Sequence, residues 1–230
     1  MPRPDEKPQV PSPQSVEAMT PNQLVRRAKL LEAVIDLVAD GYDEDMAMKD
    51  IADRAGVALG TVYRYFSSKD HLIAAALVEW AGPLGERSRR HPLPPGPPDV
   101  RLAAVLRQAL RAYQRQPAFA RLLVFVANST DPFASDCYRQ MGPVVFGALG
   151  RSISDVEADT RDRVLVVIGA VWYHCLVEWT GGRMSIADVN ETLTSTCTLL
   201  LGERRSDVIQ PASGPPAAKA ASAKRAPIRR

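Results

Sequence analysis

The stretch MKDIADRAGVALGTVYRYFSSK, residues Met48–Lys69, decides the fold. It reads as two short helices joined by a tight turn. Ile51, Ala52 and Ala55 recur at helical spacing and give the first helix one apolar face. Gly56 follows where the chain must turn sharply, because glycine adopts positive φ without steric cost. Val57 can then pack inward. In the second helix, Thr61–Phe66, Val62 and Phe66 are four apart and face inward against Ile51 and Ala52, whose small side chain lets the helices cross closely. The other side shows Leu59, Gly60, Thr61, Tyr63, Arg64 and Tyr65. A merely solvated face is rich in Glu and Lys; hydroxyls, rings and a guanidinium suit phosphate oxygens and base edges instead. Small Ala, turn Gly four later and inward Val six after that favour a helix-turn-helix over an ordinary helical hairpin.

The chain of 230 residues can bury a substantial core, enough for one small module and one larger domain. A net charge of +3 does not announce a nucleic-acid binder by itself, so the placement of charge matters more than its sum. Cys137, Cys175 and Cys197 are scattered and form no C-x-x-C pair, which fits a reducing, cytoplasmic setting. The N-terminus is Pro-rich and polar, unlike a signal peptide. Val164–Val177 is apolar apart from His174 but shorter than the roughly 20 residues a spanning helix needs, so it is expected as a helix buried on both sides, with no membrane partner.

Residues 1–20 carry five prolines and read as a disordered arm. A first helix starts near Thr20-Pro21-Asn22, presents Leu24, Ala28, Leu31, Ile35 and Val38 on one face and ends at Gly41. Residues 21–67 thus form the helix-turn-helix domain. A fourth helix begins after Ser68 and continues through Leu72, Ala75 and Trp80 towards Arg90. Prolines between His91 and Pro98 make a loop. Further helices are expected over Asp99–Gln116, Ala118–Asn128, Phe133–Arg151 with an interruption or kink at Gly142-Pro143, Asp155–Trp179, and from Ile186 to Gly202. Residues 68–202 form the larger domain, and 203–230 a basic disordered tail. The fold class is all-α with about nine helices.

Ile51–Leu72 closely resembles the signature of TetR-family transcription regulators, with Thr61, Tyr63, Tyr65, Phe66, Lys69 and Leu72 at matching positions. The resemblance spans roughly residues 24–80. Within the family, the TVYRYF…SK…L wording and Trp172, Leu176 and Trp179 are most similar to actinobacterial steroid-catabolism repressors of the KstR type. It implies a homodimer joined through the last two helices of each chain, a DNA-binding head and a ligand cavity in the larger domain. It also implies that Thr61, Tyr63 and Tyr65 touch phosphates, that Lys69 clamps one, and that Leu59, Gly60 and Arg64 reach base edges of a double-stranded operator. Arg64 can read a guanine through a bidentate contact. Arg26, Arg27, Lys29 and Lys49 are open to two readings, further phosphate contacts or a solvated face.

For the effector, Tyr113, Phe119, Leu123, Phe125, Met141, Val145, Trp172, Tyr173 and Leu176 are the large apolar candidates, most of them expected to be plain core. Few charges fall among them, which favours a bulky, apolar small molecule such as a steroid or an acyl-CoA, with Arg121 or Arg139 at the rim for the latter. No cofactor or metal is expected: His174 and Cys175 are helix neighbours about 100° apart and do not converge. No nucleophile elbow or phosphate loop is present. The leading expectation is a repressor released from a palindromic operator by its ligand. An activator of the same fold, an enzyme using His174 or Glu178, and a helical interaction protein remain open alternatives.

Overall fold

The computed structural model describes residues 13–202, with residues 144 and 145 given by their backbone only. The first twelve residues of the expected arm and the basic tail lie outside the described residues. Among those described are nine α-helices: α1 Pro21–Ala39, α2 Met48–Ala55, α3 Leu59–Tyr65, α4 Lys69–Arg90, α5 Pro98–Arg115, α6 Pro117–Ala127, α7 Pro132–Ser152, α8 Ala158–Thr180 and α9 Ile186–Leu201.

Local chemistry sets these boundaries. Gln23 Oε1 accepts the Thr20 N–H at 2.8 Å as α1 begins. Gly56 closes α2 at φ 66°, and the Val57 N–H returns to the Ala52 carbonyl at 3.0 Å. Ser68 Oγ caps α4 by accepting the His71 N–H at 3.0 Å. Asp131 Oδ1 accepts the N–H groups of Phe133 and Ala134 to start α7. That helix then runs unbroken through Pro143, where an interruption or a kink was expected.

Helices α1–α3 form a small head. Leu30, Leu31, Val34, Leu37 and Val38 of α1 pack there with Ile51, Ala52, Val62 and Phe66. Helix α4 leaves the head and crosses α7 in the body, where α5, α6, α8 and α9 complete the bundle.

Three expectations change. Residues 13–20, assigned to a disordered arm, carry a 3-10 turn over Val16–Ala18 and bury Met19. On α1, Leu24 and Ala28 are exposed, and the buried stripe begins only at Leu30. Finally, α8 is not buried on both sides. Val166 is 74% exposed, Val167 and His174 are also exposed, and on α9 Leu199 is 85% exposed. At 23 residues α8 is long and apolar enough to cross a membrane, contrary to the shorter apolar run. Its Val164, Ile168, Trp172, Cys175 and Leu176 are instead buried in the core shared with α6, α7 and α9.

Candidate nucleic-acid interface and effector cavity

Helix α3 is short, and its two sides differ. Val62 and Phe66 are fully buried. Leu59, Gly60, Tyr63 and Arg64 are exposed and Thr61 is half-buried, so one continuous surface carries an isobutyl group, a bare backbone, two hydroxyls and a guanidinium. Arg26 on α1 and Lys49 on α2 are also exposed on the head. This is a surface that a major groove can accept.

Tyr65, expected on that surface, is only 2% exposed. It lies three residues after Val62 and therefore shares the buried stripe. Lys69, expected to clamp a phosphate, is turned to the seam between head and body. Its Nζ donates to the Glu44 carbonyl at 2.5 Å and stands 5.7 Å from the centroid of the Phe125 ring. Arg27 is also drawn inward: its guanidinium carbon lies 5.2 Å from the centroid of the Phe66 ring, and burial lowers its pKa.

The same seam holds His71, buried between Phe66 and Phe133 with ring centroids at 5.1 and 5.3 Å. Its Nδ1 accepts the Ser67 N–H at 3.2 Å, and Ser67 Oγ donates to Asp131 Oδ2 at 3.1 Å. Burial pushes the imidazole pKa down to about 4; Asp131 opposes this and Arg27 adds to it. Asp131 itself sits below the usual carboxylate range: burial raises its pKa, but the hydrogen bonds from Ser68, Ala134, Phe133 and Ser67 outweigh it.

The body contains a cavity of about 420 Å³ between α4, α5, α7 and α8. Trp80, Leu84, Val105, Leu106, Tyr113, Phe146, Ile168 and Trp172 give it an apolar wall. Arg87, Ser88, Gln108, Arg111 and Arg115 supply polar groups, with the three arginines exposed. The cavity thus pairs an apolar interior with a cationic rim, and an amphipathic anion matches both.

Of the sequence candidates, Tyr113 and Trp172 line this space. Phe119, Leu123, Met141 and Leu176 are buried in the core and do not line it. Tyr173 accepts a hydrogen bond from Asn128 Nδ2 at 2.8 Å, away from the cavity. The Val145 side chain lies outside the described residues. Arg139 pairs with Asp136 on the surface. Arg121 and Phe125 line a second, more open cleft with Glu44, Asp70 and Arg183 at the seam, where Glu44 Oε2 is buried without a hydrogen-bond partner. The residues that sequence reasoning missed are Trp80, Phe146 and the rim arginines. Gln108, Arg111 and Arg115 did leave a signal, since their spacing puts them on one face of α5.

Among the described residues no three His, Cys, Asp or Glu side chains cluster as metal ligands. Both carboxylate oxygens of Glu178 accept from Arg183, at 2.8 and 2.9 Å, and His174 is exposed on α8.

Residues 30–76 match the model for bacterial regulatory proteins of the tetR family, and residues 97–200 match a tetracyclin repressor-like C-terminal domain. The chain belongs to the TetR family of transcriptional regulators. Within it the chain is of the KstR type: it is 36% identical to the HTH-type transcriptional repressor KstR of Rhodococcus jostii, over 79% of this chain and 85% of that protein. A TetR transcriptional regulator from Rhodococcus sp. RHA1 superposes with a TM-score of 0.66 at 28% identity, covering 80% of this chain and 99% of that one. The FadR repressor of Thermus thermophilus, solved with lauroyl-CoA, shares the fold, with a TM-score of 0.61 at 21% identity over 82% of this chain and all of that one.

Proposed function

We propose that this TetR-family protein is a cytoplasmic homodimeric repressor that occupies a palindromic operator and leaves it when an apolar effector with an anionic head enters the body cavity. The observation that carries the reading is one long helix that joins the head to the cavity. Helix α4 starts at the head and lines the cavity with Trp80, Leu84 and Arg87. The relatives that the chain matches are regulators rather than enzymes, which supports a non-enzymatic role.

Leu59, Gly60, Thr61, Tyr63 and Arg64 form the DNA-reading surface in this proposal, with Arg26 and Lys49 beside them. Arg64 reads a guanine, Leu59 rests on a thymine methyl, and Tyr63 and Thr61 bind phosphate oxygens. The strip of Val166, Val167 and Leu199 is the face that meets the second copy, and it places two copies of α3 in successive major grooves. Three buried free cysteines are compatible with a reducing compartment. The effector is an acyl-CoA or steroid-type acid. Its apolar body lies against Trp80, Tyr113, Phe146 and Trp172, and its anionic part against Arg87, Arg111 and Arg115. It releases DNA only by preferring the head spacing that does not fit the operator.

A gel shift with the DNA upstream of the protein's own gene tests this. Specific retardation, lost on adding lauroyl- or stearoyl-CoA, is expected. Equal binding to operator and random duplex, or full binding by both Tyr63→Ala and Arg64→Ala, removes the assignment.

A further inference from the structure

We propose that Gly169 of α8, which does not line the cavity itself, sets the size of the effector that the cavity admits by positioning Phe146 of α7. The proposal rests on the reading of that cavity as an effector site. A Cβ built on Gly169 would stand 2.9 Å from Cζ and 3.2 Å from Cε1 of Phe146. Phe146 lines the cavity, as do Ile168 and Trp172 on either side of Gly169 along α8. The ring therefore lies against a bare patch of helix backbone at the cavity wall.

The glycines of the facing helix α7 supply the contrast. A Cβ on Gly142 or Gly147 would meet nothing within 4 Å, and one on Gly150 would meet Leu165 at an ordinary 3.6 Å. Glycine inside a helix is disfavoured relative to alanine, so α8 gives up local helix preference at the point where the neighbouring ring comes closest.

A methyl group at residue 169 must displace the ring. Phe146 is half-buried: its packed neighbours yield little, and the apolar cavity takes the ring without turning it out into water. Gly169→Ala thus swings Phe146 into the cavity and shortens it, and Phe146→Ala lengthens it. With both changes together there is no ring to displace.

The test has two arms. Crystal structures of Gly169→Ala, Phe146→Ala and the double variant show where the ring goes. Binding of saturated acyl-CoAs from octanoyl to stearoyl, followed by fluorescence of Trp80 and Trp172, reports the preferred chain length. We expect the ring inside the cavity in Gly169→Ala and a preference for shorter chains, with about a fourfold loss of affinity for each methylene no longer accommodated. In the Phe146→Ala background, Gly169→Ala is expected to change nothing. A ring that stays in place, helices α7 and α8 that separate with the cavity unchanged, or an equal affinity loss in the Phe146→Ala background overturns the proposal. If the unmodified protein binds no acyl-CoA while the Gly169→Ala structure shows the displaced ring, the ligand class is wrong and the control of cavity size by Gly169 stands.

Discussion

Trp80 lies flat on Phe119, with ring planes 7° apart and centroids 4.4 Å apart, and its indole N–H donates to Gln116 Oε1 at 3.0 Å. The indole sits at the cavity wall on the same 22-residue helix whose first residue, Lys69, grips the head. A ligand that shifts Trp80 therefore acts on the helix that is attached to the head. Trp80→Ala is expected to leave operator binding by the ligand-free protein intact and to abolish release by acyl-CoA, read in the same gel shift. Phe119→Ala removes a fully buried ring and should cost about 3–5 kcal/mol in urea unfolding.

The two tyrosines of α3 are expected to behave oppositely. Tyr63 is 52% exposed and Tyr65 only 2%. Tyr63→Ala should weaken binding to every duplex while leaving thermal stability unchanged. Tyr65→Ala should cost about 3–5 kcal/mol of stability, and Tyr65→Phe should keep operator affinity. Arg64→Ala should lose about 1–3 kcal/mol and relax sequence preference at one base pair, measured with a set of single-substitution operators.

Salt dependence separates the cations. Arg26→Ala and Lys49→Ala should each reduce the slope of log affinity against log salt by about 1 if they meet phosphates. Lys69→Met should leave the slope unchanged, because its ammonium is held by the Glu44 carbonyl and the Phe125 ring. It should instead lower the melting temperature by loosening the seam.

His71 gives a pH signature. Its folded-state pKa is about 4 against an ordinary 6.5, so the unfolded chain binds the extra proton first. Its contribution to stability is complete above pH 6.5 and is lost as pH falls from 6.5 to about 4, an effect on the order of 2 kcal/mol once partial solvent access is discounted. Urea unfolding at pH 7 and pH 5 should show a larger drop for the native chain than for His71→Gln. Asp131 adds a further loss only at lower pH, since its pKa lies below the ordinary carboxylate value.

The head was legible because its signals are local. Ala52, Gly56 and Val62 lie within eleven residues, and each has one dominant physical role there. Tyr65 was misplaced although its spacing from Val62 marks it as inward, because its hydroxyl was read as a surface group and its helical position was not. Lys69 was misplaced for a different reason: the partners that hold it, Glu44 and Phe125, are distant in sequence and meet it only across the seam. The cavity was read least well. Tyr113 and Trp172 were found by size, but Trp80, Phe146 and the rim arginines come from three helices whose convergence no periodicity predicts. Large apolar residues such as Phe119 and Leu176 look the same in sequence whether they fill a core or face a void.

The unshielded strip on α8 and α9 bears on gene dosage. If pairing of two chains through Val166, Val167 and Leu199 is what covers it, operator occupancy at low copy number rises with the square of the protein's abundance. Halving synthesis then empties about three-quarters of the sites that a linear binder would half vacate. The genes downstream would switch over a narrow range of repressor supply, before any metabolite is sensed.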